Sequence, residues 1–185
     1  MKKIILFLFV MISCTHNPYE TATPERISTY KEVAVPFASG TSFHVSMSPY
    51  YMKNRHYSWD LEVPFGTPVH AIESGKVLSV FQPEGGGGCD QKLYLNKGHN
   101  VRVIHDDGTV AQYLHVDIKV KEEDIIQKGQ VIALTANSGV VCRPNLHLMV
   151  FRGKSEIRPS GETIPLRFSG IPEGRLIHGY QGKAP

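Results

Sequence analysis

The sequence predicts a mostly β fold, a single domain built on an antiparallel sheet. Three observations carry that expectation. Short alternating or β-branched runs recur from Val33 onward, among them Lys76-Val77-Leu78-Ser79-Val80-Phe81, Asn100-Val101-Arg102-Val103-Ile104 and Thr109-Val110-Ala111-Gln112-Tyr113-Leu114. Turn signals separate them, such as Pro64-Phe65-Gly66, Asp106-Asp107-Gly108 and Lys128-Gly129-Gln130. No stretch of about a dozen residues shows a helical period of apolar positions.

The elements follow in order. Lys2 and Lys3 precede an apolar run, Ile4 to Ile12, which ends at Ser13 and Cys14. A basic tip, a short apolar segment and a small residue at the cut describe an export signal over residues 1–13, and the run is too short to span a bilayer. Residues 14–32 are rich in His, Asn, Pro and Thr with few large apolar side chains, the composition of a tether. Residues 33–185 form the domain, long enough to bury a core of its own. Asp106-Asp107-Gly108 between two strand-like runs is read as a hairpin turn, and Gly85 to Gly88 as a mobile surface loop, since glycine weakens a strand. The net charge of +3 comes without a Lys/Arg run, so nucleic acid is not implied.

The chemistry concentrates in two clusters, His56-Tyr57-Ser58-Trp59-Asp60 and Asn145-Leu146-His147-Leu148. Residues two apart on a strand share a face, so Asn145 and His147 look one way and Leu146 and Leu148 face the core. Imidazole nitrogen and carboxylate oxygen are both zinc ligands, and three protein ligands plus water is the catalytic arrangement. His-x-x-x-Asp is a weak signal alone, and a lone strand histidine is weaker still. Their combination and order raise the weight of both.

The segment from about Phe43 to Val150 resembles the LytM/lysostaphin-type zinc metallopeptidases, which cut peptides of bacterial peptidoglycan. The likeness lies in HYSWDLEVPFGTPVHAIESGKV (His56 to Val77), NVRVIHDDGTVAQYLHV (Asn100 to Val116), KEEDIIQKGQVIALTANSG (Lys121 to Gly139) and PNLHLMV, all in the family's order. It implies a LytM-like antiparallel sheet with a groove, related to hybrid-motif carrier folds. It also implies one zinc ion held by His56, Asp60 and His147, with His115 helping to stabilise the tetrahedral intermediate. His44 is the alternative first ligand, because in one branch of the family that histidine lies further upstream of the aspartate. Met11-Ile12-Ser13-Cys14 resembles a lipobox, with Met at its first position, which implies a lipid on Cys14 and an exported, membrane-anchored protein of the bacterial envelope. The alternative is an ordinary signal peptide.

The sequence departs from the family at one telling place. Asn145 stands where the first His of His-x-His supplies the general base, and an amide has no nitrogen that accepts a proton at neutral pH. Ser58 also replaces a usual Gly. His99, before a strand, is a candidate substitute base. Cys89 and Cys142 are two cysteines of an exported domain and suggest a disulfide beside the site, the alternative being free thiols.

Three functions compete. The first is a slow zinc endopeptidase acting on peptidoglycan peptides. The second is a degenerate relative that binds cell wall or regulates a wall-hydrolase partner. The third, a carrier domain suggested by Ile125-Ile126-Gln127-Lys128-Gly129, fails because the hairpin tip at Asp106-Asp107-Gly108 offers no lysine for modification. The first is preferred, since only the base position has changed.

Overall fold

The computed structural model describes residues 30–48, 57–153 and 162–185. His56, the lipobox and Cys14 lie outside the described residues.

Fifteen strands follow one another: β1 (Lys31–Val33), β2 (Ser42–Met47), β3 (Ser58–Glu62), β4 (Pro68–His70), β5 (Gly75–Phe81), β6 (Gly87–Gly88), β7 (Asn100–Ile104), β8 (Val110–Leu114), β9 (Val116–Ile118), β10 (Ile125–Ile126), β11 (Val131–Thr135), β12 (Gly139–Val140), β13 (Asn145–Phe151), β14 (Leu166–Phe168) and β15 (Gln181–Lys183). A single helical turn, α1 (Gln91–Tyr94), starts at Asp90, whose carboxylate accepts from the amides of Lys92 and Leu93.

Eight strands form the main sheet in the order β10-β5-β7-β8-β13-β3-β2-β15, every neighbour antiparallel. A three-stranded sheet, β4-β11-β9, is also antiparallel, while β1 with β14 and β12 with β6 are short parallel pairs. The expected antiparallel β fold is therefore what the chain adopts. The Asp106-Asp107-Gly108 hairpin joins β7 to β8, its Asp107 carboxylate accepting from the Thr109 amide at 3.0 Å.

Period-two alternation gives the main sheet its two faces. Trp59 and Leu61 on β3, Leu146 and Leu148 on β13, and Val101 and Val103 on β7 are fully or almost fully buried. Each such side chain contributes about 1.5–3 kcal/mol relative to exposure. Trp59 packs edge-on against Phe168, ring centroids 5.4 Å apart, and its indole N–H donates to the Leu176 carbonyl at 3.1 Å. Tyr113 is buried on the same face, its hydroxyl accepting from the Ile72 amide at 2.9 Å. The core thus fixes which residues of each strand must look the other way.

The glycine run differs from the sequence expectation. Gly87 and Gly88 form a strand, paired in parallel with Gly139 and Val140. The close approach explains the glycines. A Cβ on Gly87 would lie 2.6 Å from the Ser138 amide nitrogen, and one on Gly139 would lie 2.5 Å from the Gly98 Cα. Backbone-to-backbone packing that tight excludes any side chain, so here the entropic cost of glycine is offset by contact.

Candidate active site

The polar face of the main sheet floors an open groove of about 1380 Å³. Its central row is set by register. His147 on β13 lies opposite Asp60 on β3 and, on its other side, opposite Leu114 on β8. A second row, two residues along, runs Asn145, Glu62 and His44 across β13, β3 and β2. The sheet thus brings together side chains from positions more than 80 residues apart in sequence.

His147 Nδ1 donates to Asp60 Oδ1 at 2.5 Å. With the Nδ1 proton released, the same two atoms are of the types zinc prefers, and both side chains are open to the groove. This chemistry fits a metal of borderline softness. Among the described residues no group of three His, Cys, Asp or Glu converges on such a point.

His115 stands beside this pair, its ring 6.2 Å from that of His147 and inclined at 69°. It is the residue between β8 and β9, where the chain leaves the main sheet for the small one. Its φ is +64°, a left-handed conformation uncommon for a residue with a side chain. Such an outlier persists only where its surroundings enforce it. Here the His115 amide donates to the His99 carbonyl at 3.0 Å and the His115 carbonyl accepts from the Ala136 amide at 2.8 Å. Nδ1 donates to the Ser138 carbonyl at 2.6 Å. Since a carbonyl only accepts, this bond fixes the proton on Nδ1 and leaves a lone pair on Nε2 of the neutral ring. Burial holds the His115 pKa below that of a free imidazole, partly offset by the Ser138 bond.

Asn145 is buried. Its Nδ2 donates to the Arg143 carbonyl at 2.8 Å, and its Oδ1 is buried with no partner. Asn145 therefore lines the groove with nothing titratable, its acceptor oxygen lying beneath the surface. Glu62, two residues from Asp60, was not singled out in the sequence, although that spacing places both on one face. It accepts from His44 Nδ1 at 3.1 Å and lies 3.6 Å from the Arg143 guanidinium. Burial raises its pKa, but hydrogen bonds from His44 and Ser46 outweigh this and hold the carboxyl below its usual range. His44, the alternative ligand, thus lines the groove one row away from His147 and is engaged by Glu62.

His99 corrects an expectation. Its Nε2 donates to the Pro83 carbonyl at 3.0 Å, and it is not among the residues lining the groove. The following Asn100, the first residue of β7, takes the groove position instead. Cys89 and Cys142 are joined by a bond between their sulfurs, with Cα atoms 4.3 Å apart, and Cys142 lines one end of the groove. The link ties the segment after the glycine strand to the approach of β13.

The sequence profile of Peptidase family M23 matches residues 54–159, more than half of the 185 residues. The chain belongs to that family. Within it, this chain is similar to lysostaphin of Staphylococcus staphylolyticus, 33% identical over 94 residues, which are 50% of this chain and 18% of that protein. It is also similar to the peptidoglycan DD-endopeptidase ShyA of Vibrio cholerae, 30% identical over 123 residues, which are 65% of this chain and 26% of ShyA. The solved structure of the antimicrobial peptidase lysostaphin from Staphylococcus simulans superposes with a TM-score of 0.53 at 25% identity, covering 66% of this chain and 47% of that one. The chain spans only about a fifth to a quarter of the length of these curated relatives. All the described groove residues named above from Asp60 to His147 fall inside the M23 match; His44 lies before it.

Proposed function

We propose that this chain is a zinc-dependent endopeptidase that cleaves peptide bonds in bacterial peptidoglycan, working slowly because Asn145 replaces the usual general base. The observation that carries this reading is the convergence of His147 and Asp60, 2.5 Å apart on a groove floor, beside a buried His115. His147, Asp60 and His56 would hold one zinc ion. When bound, zinc supplies Lewis acidity, polarising a carbonyl and making water more acidic.

The chain's own residues supply the rest. Asn145 places an amide, which takes no proton from water at neutral pH, on the groove face next to His147. Nε2 of neutral His115 is an acceptor; taking the proton that the attacking water gives up would turn the same atom into a donor toward the developing oxyanion. The Ser138 carbonyl holds the Nδ1 proton in both states, so Nε2 is the atom that exchanges. A second reading, a non-hydrolytic domain that binds wall or regulates a wall hydrolase, is favoured by one observation alone, the missing base at Asn145.

Metal analysis tests the ligand set. The purified protein is expected to carry about one zinc per chain. His56→Ala should remove it and His44→Ala should leave it. The reverse pattern would give the third ligand position to His44.

We also propose residues 1–13 as a lipoprotein signal and Cys14 as the lipidated residue, followed by a tether that ends where β1 begins at Lys31, two residues before the boundary expected from the sequence. Among the described residues no helix is long and apolar enough to cross a membrane. A multiply acylated terminus anchors stably where one chain is marginal. Cys14→Ser should therefore move the protein from the membrane to the soluble fraction of its host. Equal membrane retention of both forms would overturn the assignment.

A further inference from the structure

Arg102 sits on the groove floor, paired across β7 and β8 with Gln112 and across β5 with Ser79. Its Nε is buried without a hydrogen-bond partner. The groove's carboxylates are engaged elsewhere, Asp60 by His147 and Glu62 by His44 and Arg143, and among the described residues no acid pairs with Arg102. Burial alone pushes its pKa down, with no acidic neighbour acting the other way. A guanidinium nevertheless stays charged. Holding a partly buried, unpaired cation costs free energy and returns nothing to the fold. Gln112 beside it is buried too, and its amide oxygen has no partner. Two adjacent strands thus offer a cation and an acceptor that the protein itself leaves unsatisfied.

Their position relates them to the reacting centre. Asn100, Leu114, His147 and Asp60 form one cross-strand row, and Arg102, Gln112 and Met149 form the next. With strands about 4.8 Å apart and residues about 3.4 Å apart along each, Arg102 lies roughly 12 Å from His147 between Cα atoms. That separation is about three to four residues of extended peptide.

We propose that Arg102 is a carboxylate-binding site, and that the peptide in the groove carries a free carboxylate three or four residues from the bond presented to His147 and Asp60. The proposal deepens the peptidoglycan reading and rests on it for the identity of the peptide. Peptidoglycan stem peptides offer carboxylates of two kinds, on side chains and at the C-terminus, and the experiment separates them.

Calorimetric titration would compare the wild type, Arg102→Gln and Arg102→Lys, each checked for native circular dichroism. The probes are a stem tetrapeptide, its C-terminal amide and its side-chain amide, with acetyl-Gly-Gly-Glu and its Gln counterpart alongside. Loss of a charge-assisted hydrogen bond should weaken binding about 10- to 100-fold. Wild type is expected to lose that factor on one of the two amidations, which names the carboxylate. Arg102→Gln should bind the acid and the amide equally weakly, and Arg102→Lys should keep part of the preference. An Arg102→Gln protein that still distinguishes acid from amide overturns the site, as does a wild type that distinguishes none of the pairs. A preference confined to the Glu peptide, with no binding of stem peptides, retains the carboxylate site and discards the peptidoglycan reading. Arg102-dependent binding of stem peptides that are never cleaved retains the site and discards the peptidase.

Discussion

Asn145→His is expected to speed peptidoglycan hydrolysis by about tenfold or more. A positioned general base supplies a factor of roughly 100 to 10,000, or about 3 to 5 kcal/mol of barrier. The strand face is already right: Asn145 lies two residues before His147 on β13, opposite Glu62, with its side chain lining the groove. The substitution sacrifices one hydrogen bond, from Nδ2 to the Arg143 carbonyl. It gains a nitrogen that accepts a proton at neutral pH. Initial rates of peptide release from purified peptidoglycan would measure the change. A wild type already fast and unimproved by the histidine would mean that another group takes the proton. His115 is then the first to test, because its Nε2 lone pair faces no partner of its own, whereas His99 is turned to Pro83.

His147→Ala is expected to abolish most zinc binding and, with it, hydrolysis. The change deletes the Nδ1 atom that meets Asp60 at 2.5 Å and leaves the carboxylate alone on the groove floor. The fold should survive, since His147 points away from the core that Leu146 and Leu148 build. Zinc content and circular dichroism measured on the same sample separate loss of metal from loss of structure. Zinc retained at wild-type stoichiometry would show that the ligand assignment is wrong.

Much of this arrangement was legible in the sequence because alternation carries so much of it. Asn145-Leu146-His147-Leu148 gives both the core face and the site face, and the structure keeps both. The hairpin at Asp106-Asp107-Gly108 was equally plain. What alternation does not carry is which strands become neighbours. Nothing near Arg102 in sequence says that Gln112 and the His147 row lie beside it, so its isolation as a cation is visible only once register is known. Glu62 was within reach, two residues from Asp60, but its partner His44 comes from another strand. The left-handed backbone of His115 has no signal in residue type, since glycine and asparagine are the residues that usually mark one. The glycine strand was missed for a related reason. Its glycines answer to the crowding of Ser138 against Gly87 and of Tyr94 against Gly88, contacts that no local pattern records.

The central claim is that a metal-dependent peptidase works here without its family's usual base, and one measurement meets it directly. Purified wild-type protein is incubated with purified peptidoglycan, with and without a chelator, followed by addition of zinc to the chelated sample. Slow release of peptides with new amino termini is expected, stopped by the chelator and restored by zinc. Zinc-loaded protein that binds the wall but releases no peptide over any incubation would contradict it.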